Sequence, residues 1–537
     1  LRIKYLDKTK TITNTQTAPL PYVSADISPI GNWGDEATWV NGTVQNPPNS
    51  KGLDVDGEYP GTDIDWNIVE TKHNIASGDR DITVLGLKNT SGKITIAGDL
   101  ELATGTGAGH VLRVTHYLKL DDIIDLAGES QLVQDEGSVL DEKSGGKLDK
   151  DQQGTASSYN YNYWSSCVGP ITAFGTATGV ASPNLSFSVK GNMLDGSAGS
   201  ITFQPSPYAA DLAGTPSPVI ISSYWLWKFY GADDDYNAWI KIPLPTTSLE
   251  PGEGYTMKGT SKTAAITDNQ NYKFRGKPYN GTIKLNLKRD DPKFAIPLVN
   301  VDRLIGNPYP SAIDANEFIL DNIHGTVKNG TIDIESGRNT VNVFNGALYF
   351  WHHFSGATHY VAEYVGGYAT YTLMGGVQAY STDSRINNST PLVGGGKIPE
   401  RYIPVNQGFF VITALPSSIS GTTTTTTVEG GEIILKNSQR VFIKEGDAGD
   451  YDGSLFFKRS KNTGAKQIKE TREEKAKLRL KFSSPKGYVR QILVGLADNA
   501  TNPFDIGYDA LLTDVNQNDM FWTFDVANLV IKSVINF

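Results

Sequence analysis

The sequence predicts a mainly β protein, with an N-terminal β-helix-like region, two tandem related β-sandwich domains and a further partial β region. Composition is the first reason, because Gly (55 residues) and Tyr (25) are abundant and blocks of the helix formers Ala, Glu, Lys and Leu are missing. Such a composition favours many short strands joined by tight turns. Alternation is the second reason, because apolar and polar residues alternate over most of residues 159–443, as in strands with one buried face.

An internal repeat is the third reason. Between Ser165 and Lys277 the chain carries the phrases SSCVGP, WLWKFYGA, EPGEGYTMKG and YKFRGK. Between Ile305 and Arg440 it carries IGNPYPS, LYFWHHFSGA, PVNQGFFVIT and IILKNSQR in the same order. The apolar letters match in kind while the gaps differ, so we expect the strands to be the repeated unit and the loops to vary. This pattern favours a display scaffold over an active site.

The chain is too long for one hydrophobic core, because 537 residues exceed the size of a typical domain. We expect the following segments: an extended lead-in at 1–29, a β-helix-like domain at 30–155, β-sandwich repeat 1 at 156–300, β-sandwich repeat 2 at 301–445, a charged linker or loop at 446–478, and a further β region at 479–537.

The β-helix prediction depends on residues 82–140. Short alternating stretches there are separated by Gly, Asp or Asn, and they resemble the stacked rungs of a parallel β-helix. An irregular β-sandwich is the alternative. In the second repeat, ANEFILDNI (Ala315–Ile323) predicts a short helix, with Asp314 as its N-cap and Glu317 in the capping-box position.

Net charge, hydropathy and cysteine content argue against several classes of protein. The net charge of -10 argues against a nucleic-acid partner and against binding to anionic lipid. No run of 18 apolar residues is present, so the sequence predicts no membrane span. The single cysteine, Cys167, excludes an intramolecular disulfide and is expected to be a small packing residue. The chain begins at Leu1 and stops in a strand-like run at Phe537, so we expect that both ends were cut.

No catalytic motif stands out, and we expect no enzyme. The patterns of serine hydrolases, P-loops and dinucleotide-binding sites are missing from the sequence. Asp121 and Asp122 resemble the acidic pairs of polysaccharide-cleaving β-helices, but adjacent strand residues face opposite ways. The phrases GEGY and NQGFF are expected to mark a bulge or bend, with a ligand-stacking platform as the alternative.

Acidic turns are candidate calcium sites, since calcium prefers six to eight oxygen ligands at flexible spacing. Solvated turns are the alternative, and no other cofactor is expected. Zinc at the cluster of His352, His353 and His359 is disfavoured, because adjacent strand residues diverge, and surface imidazoles are expected instead. The candidate calcium ligands are Asp54, Asp56, Asp514, Asn516 and Asn518.

Three tryptophans are candidate carbohydrate ligands, because sugars stack on aromatic rings. They are Trp225, Trp227 and Trp351. Alternation predicts that Trp225 and Trp227 lie on the same side of one strand. That side could equally belong to the core, so the core interpretation stays open.

Several phrases together resemble large cell-surface proteins of Bacteroidota that are exported by the type IX secretion system. They include GNWGDEATW, LIGNPYPSAIDANEFI, YIPVNQGFFV and GYDALLTDVNQNDMFW, and the likeness covers about residues 30–537. Cys167 stands where Pro is usual, and the Thr run within Gly421–Gly431 is unusual. The resemblance supplies no catalytic residues.

The resemblance implies a structural or adhesin-like protein, extracellular or on the outer-membrane surface, in a bacterium capable of gliding motility. It also implies two partners, the outer-membrane translocon and its shuttle protein, reached mainly through a C-terminal sorting domain that we expect beyond Phe537 in the native protein. Surface glycans are a further candidate partner. The rival classes are a polysaccharide-active β-helix enzyme and a carbohydrate-binding surface protein without chemistry.

Overall fold

A computed structural model describes most of the chain. Strands dominate its secondary structure, which confirms the mainly β prediction. The described residues are 22–40, 67–97, 109–171, 184–196, 199–232, 235–265, 268–328, 331–355, 357–379, 397–416, 427–445, 476–483, 489–498, 500–513, 519–524 and 527–536.

Strands in residues 22–155 pair in parallel and are divided between two sheets. One sheet contains β1, β3, β5, β7, β9 and β10, and the other contains β2, β4, β6, β8 and β11. Their apolar side chains, such as Leu112 and Ile124, are fully buried in the main core. The strands are β1 Tyr22–Val23, β2 Gly31–Asn32, β3 Ile68–Thr71, β4 Ile75–Ala76, β5 Ile82–Asn89, β6 Ile94–Ile96, β7 Val111–Leu120, β8 Ile123–Leu126, β9 Gln131–Gln134, β10 Val139–Leu140 and β11 Lys147–Thr155.

The first copy of the repeat follows. It contains a single-turn helix, α1 (Val189–Asn192), and 3-10 turns at Ser223–Trp225 and Tyr236–Ala238. Its strands are β12 Tyr161–Trp164, β13 Val168–Gly169, β14 Met193–Asp195, β15 Gly199–Ser200, β16 Thr202–Gln204, β17 Ile220–Ser222, β18 Trp227–Gly231, β19 Trp239–Lys241, β20 Tyr255–Lys258, β21 Asn269–Pro278 and β22 Ile283–Asn286.

The second copy contains helix α2 (Ala315–Asn322) and 3-10 turns at Val361–Glu363 and Asn437–Gln439. The predicted N-cap is confirmed, because the Asp314 side chain accepts a hydrogen bond from the Asn316 N–H at 2.9 Å. Its strands are β23 Asp302–Gly306, β24 Ala312–Asp314, β25 Val327–Lys328, β26 Thr331–Ile332, β27 Leu348–Ser355, β28 Val365–Thr372, β29 Gly375–Val377, β30 Tyr402–Ile403, β31 Gly408–Ile412, β32 Glu432–Leu435 and β33 Arg440–Val441.

Hydrogen bonding crosses two of the expected domain boundaries. Strand β11 pairs in parallel with β8 and antiparallel with β21, so the second parallel sheet continues into the first copy of the repeat. Strand β18 of the first copy pairs with β23 of the second copy, at Tyr230 and Arg303. The two copies therefore share one sheet, in the order β12-β20-β18-β23-β31-β27-β28-β29, which we call the composite sheet.

Corresponding strands of the two copies have the same order and the same register. Trp164 pairs with Tyr255 between β12 and β20, and Ile305 pairs with Phe409 between β23 and β31. The copies also contact each other reciprocally, since single bridges join Trp164 to Gln407 and Glu253 to Ile305. The repeat found in the sequence is therefore a structural duplication with a local two-fold relationship.

The C-terminal strands form a further sheet in the order β34-β35-β38-β36, with β37 beside β38. Leu493 and Ile531 from this sheet join a second apolar cluster that also contains Phe410 of the composite sheet. The strands are β34 Lys477–Ser483, β35 Val489–Leu496, β36 Ala510–Leu511, β37 Trp522–Phe524 and β38 Ala527–Val534.

Some sequence predictions fall on residues that the structure does not describe. The charged linker lies outside the described ranges except for 476–478, and the lead-in does so except for 22–29. Among the helices of the described ranges, none has the length and apolar character needed to cross a membrane.

Candidate ligand-binding face

The two faces of the composite sheet have different roles. Strand alternation directs Trp164, Tyr255 and Phe409 into the main core. Their neighbours point to the opposite side, which we call the aromatic face. Its rings are Tyr161, Tyr163, Trp227, Phe229, Trp239, Tyr349, Trp351, Tyr368 and Phe410.

Tyr163 lies at the centre of the aromatic face. Its ring stacks on Trp351 with centroids 6.2 Å apart and an interplanar angle of 14°, and it meets Trp239 edge-on at 6.2 Å. Its hydroxyl lies 3.0 Å from the Tyr368 hydroxyl. Tyr163 and Trp239 belong to the first copy, whereas Trp351 and Tyr368 belong to the second. The face is therefore assembled from both copies.

Exposure differs across the face. Tyr163, Phe229 and Phe410 are buried, at 6 % each. Trp239, Trp351 and Tyr368 are half-buried, so part of each residue is accessible to solvent. Buried rings hold the half-buried ones in fixed orientations, which is the arrangement of a preformed stacking surface.

At one end of the face, Lys258 on β20 occupies a cage of rings. Its side-chain nitrogen lies 3.8 Å from the ring centroid of Trp225 and 4.8 Å from those of Tyr161 and Tyr364. It donates to the Tyr364 hydroxyl at 2.6 Å. Burial lowers the pKa of Lys258 to about 7, while Asp211 acts in the opposite direction, and the surrounding ring faces also favour the ammonium form.

His359 connects this lysine to a carboxylate. Its Nδ1 lies 3.0 Å from Lys258 Nζ, and its Nε2 lies 3.0 Å from Asp211 Oδ1. Since an ionised carboxylate only accepts, Nε2 carries the hydrogen and Nδ1 accepts from the lysine. The imidazole also stacks on Trp225, with centroids 5.1 Å apart and an angle of 9°. Burial and the neighbouring Lys258 lower the pKa of His359.

We call Lys258, His359, Asp211 and their ring neighbours the Lys258 cluster. It joins strand β20 of the first copy to residues 357–364 of the second, which we call the His359 loop. Each polar side chain is engaged by another member of the cluster or by Ser158, whose Oγ donates to Asp211 at 2.7 Å. The cluster therefore fastens a loop rather than presenting a free nucleophile or base.

The three predicted carbohydrate ligands lie in different environments. Trp351 is half-buried on the aromatic face. Trp225 is 6 % exposed, and its Nε1 donates to the carbonyl of Pro207 at 2.8 Å. Trp227 is half-buried at the start of β18. The prediction that Trp225 and Trp227 share one strand is wrong, because Trp225 ends the 3-10 turn that precedes it.

The histidine prediction also needs correction. His352 and His353 are buried, at 4 % and 6 %, and are not surface imidazoles. They lie within β27, where their backbones pair with Gly367 and Gly366 of β28. Within the described ranges, no group of three or more His, Cys, Asp or Glu side chains could hold a metal ion. The candidate calcium ligands Asp54, Asp56, Asp514, Asn516 and Asn518 lie outside those ranges.

Asp121, Asp122 and Cys167, which the sequence analysis considered as candidates for chemistry, have structural roles. Asp122 accepts from the Gly92 N–H at 2.7 Å, and Asp121 accepts from the Gly145 N–H at 3.2 Å, so both hold turns of the parallel sheets. Cys167 is fully buried, as a packing residue should be, and burial raises its pKa to about 12.

Sequence reasoning missed Lys258 and Asp211. They stand 101 and 148 residues from His359, within the unremarkable phrases YTMKG and AADLAG. The sequence signal for this site is Lys258 itself, which ends the otherwise uncharged strand β20. A lysine in that position does not indicate which residues it contacts.

Comparison with known families gives a match that covers most of these elements. A family model, described as a domain of unknown function (DUF8693), matches residues 202–535. The chain belongs to the DUF8693 family. The DUF8693 match begins at β16 and includes both Lys258 and His359. The two sheets with parallel strands precede it, except for β21. No curated protein and no solved structure matched the chain.

Proposed function

We propose that this protein is a secreted or cell-surface scaffold of adhesin type that binds carbohydrate on its aromatic face. The observation that carries the proposal is the set of half-buried rings, Trp239, Trp351 and Tyr368, held together by the buried Tyr163. Sugars present apolar C–H faces that stack on such rings, and a row of half-buried rings suits contact with more than one sugar unit.

Binding is favoured over catalysis by the state of the ionisable groups beside the face. Lys258, His359 and Asp211 are bonded to one another. Asp121 and Asp122, the residues that would support a polysaccharide-cleaving enzyme, accept hydrogen bonds from backbone N–H groups in turns. Most glycoside hydrolases use two carboxyl groups that converge on one bond, and the contacts of Asp121 and Asp122 offer no such pair.

The proposal includes export by the type IX secretion system, with the outer-membrane translocon and its shuttle protein as partners. The resemblance of LIGNPYPSAIDANEFI and QGFFV to exported surface proteins supports this part. Antibody labelling of intact cells of the native host tests it. We expect surface signal in the parent strain and its loss when the translocon is deleted, and unchanged labelling in the deletion strain would refute the export proposal.

A glycan array with the purified chain tests the binding proposal. We expect the native protein to bind a defined set of glycans and Trp351→Ala to lose them. Tyr22→Ala is the matched control, because Tyr22 is a half-buried ring on β1, in the first parallel sheet. Native protein that binds no glycan, or a Trp351→Ala variant that binds like the native chain, would refute carbohydrate binding by this face.

A further inference from the structure

The Lys258 cluster contains two groups that can both carry positive charge, in direct contact. We infer that it is an acid-sensitive latch, which holds the His359 loop closed while His359 is neutral and releases it when the imidazole is protonated. The effect of release on ligand binding rests on the function proposed above, whereas the latch itself does not.

The closed state requires a lone pair on His359 Nδ1. Lys258 Nζ lies 3.0 Å from that atom and donates to it. A proton on Nδ1 removes the acceptor and places an N–H against the hydrogens of the lysine. Acidification therefore converts an attractive contact into a repulsive one within a buried site.

The other groups that face His359 do not remove the repulsion between its protonated ring and Lys258. Asp211 accepts from Nε2 and favours the protonated imidazole, but burial and Lys258 outweigh it, and the pKa of His359 is lowered. The remaining neighbours are neutral rings. They are Tyr159, Tyr208 and Trp225 in contact with the imidazole, and Tyr161, Tyr224, Tyr236 and Tyr364 around the lysine cage. Glu363 of the same loop accepts from the Thr358 hydroxyl at 2.8 Å.

The loop depends on the cluster for its attachment. The hydrogen bonds of Thr358 and Tyr360 shown by the structure stay within the loop. Tyr360 and Val361 at its tip are 69 % and 54 % exposed. Contacts to the first copy come from His359 and Tyr364, through Lys258, Asp211 and the surrounding rings. Release of His359 would therefore leave Tyr364 as the loop's contact with the first copy, and the segment before Tyr364 would open more easily.

The direction of the pH effect follows from the lowered pKa of His359. In the open loop this pKa returns to its ordinary value of about 6.5. The contribution of His359 to closure is then complete above that pH and is lost as pH falls towards the lower pKa of the closed state. Opening uncovers Trp225, on which His359 stacks, and the part of Tyr161 that Tyr364 covers, so acid adds the Trp225 ring to the aromatic face.

Hydrogen exchange of the full chain, without ligand, tests the latch. We expect the opening of peptides that cover the His359 loop to rise below pH about 6.5, by at most ten-fold per pH unit for one titrating proton, after correction for intrinsic exchange rates. His359→Gln keeps an acceptor for Lys258 and a donor for Asp211 and does not titrate, so its opening should rise less on acidification than that of the native chain, with Lys258 supplying what dependence on pH is left. Peptides from β23 serve as the internal reference.

Two results would overturn the latch: native opening that does not rise on acidification, or an equal rise in His359→Gln. If His359→Gln unfolds, Lys258→Met provides the second variant and should flatten the profile by removing the opposing charge. Glycan binding at pH 5.5 and 8 is measured separately. Acid opening without any glycan binding would reject the proposed function and keep the latch, whereas binding without acid opening would do the reverse.

Discussion

Gly408 lies directly against the backbone of Tyr163, which belongs to the other copy of the repeat. A Cβ at Gly408 would stand 2.8 Å from the Tyr163 carbonyl carbon. The corresponding glycine of the first copy, Gly254, is in the same position, because its Cβ would stand 2.7 Å from the Ile305 carbonyl oxygen. In each copy, one glycine thus lets the first strand of the other copy (β12 or β23) pack closely against it. The phrases GEGY and NQGFF mark this close approach of two backbones.

Substitution of either glycine should destabilise the composite sheet. For Gly408→Ala we expect a loss of about 1–3 kcal/mol in the free energy of unfolding, because the added methyl meets backbone that cannot move aside. Urea denaturation measures it. Gly145→Ala is the control, since a Cβ there meets nothing within 4 Å, and it should leave the midpoint unchanged. Equal midpoints for Gly408→Ala and the native chain would contradict the close-contact explanation.

The repeat shows how far the sequence could predict this fold. Matching phrases predicted matching strands, and the pairs Trp164–Tyr255 and Ile305–Phe409 have the same register. The Asp314 cap was also predictable, since capping depends on residues adjacent in the chain. Sharing of one sheet by both copies was not predictable, because β18 could have ended as an edge strand, and only tertiary packing decides whether it pairs with β23.

The candidate site was less predictable than the fold. The aromatic residues were visible, but whether a ring faces the core or solvent depends on which side of the sheet is covered. Trp225 was assigned to a strand because a 3-10 turn of three residues leaves no periodic pattern. Lys258, His359 and Asp211 come from three distant segments, and their convergence exists only after folding.

A buried ion pair should contribute strongly to the stability of the second copy. Arg401 donates to both oxygens of Asp314, with the shortest contact at 2.6 Å, and this raises the pKa of Arg401. We expect Arg401→Met to cost about 3–5 kcal/mol, because it leaves a buried carboxylate without its cation. Thermal and urea unfolding measure the loss.

An exposed pair provides the comparison for that variant. Lys284 and Glu432 are 2.9 Å apart with side chains 54 % and 48 % exposed, so Lys284→Met should change stability by less than about 1 kcal/mol. Similar losses for the two variants would mean that burial is not what makes the Arg401 pair important.

Lys258 should make the stability of the native chain depend on alkaline pH. Its pKa is about 7 in the folded chain and ordinarily 10.5, so between pH 7 and 9 the unfolded chain holds a proton that the folded chain has released. Stability should therefore rise with pH over this range, with a slope of at most about 1.4 kcal/mol per pH unit from this group. Urea denaturation at pH 7, 8 and 9 measures the slope, and Lys258→Met should reduce it. A slope that is the same in both proteins would show that Lys258 keeps its proton when buried.

The affinity of the aromatic face for carbohydrate is the most direct test of the account. Calorimetric titration of the best array glycan into the native chain, Trp351→Ala and the Tyr22→Ala control provides it. We predict that Trp351→Ala binds at least ten-fold more weakly, a loss of about 1.4 kcal/mol, and that the control binds like the native chain. Equal affinity of the native chain and Trp351→Ala, with both proteins folded, would contradict the claim that the shared sheet displays a carbohydrate-binding face.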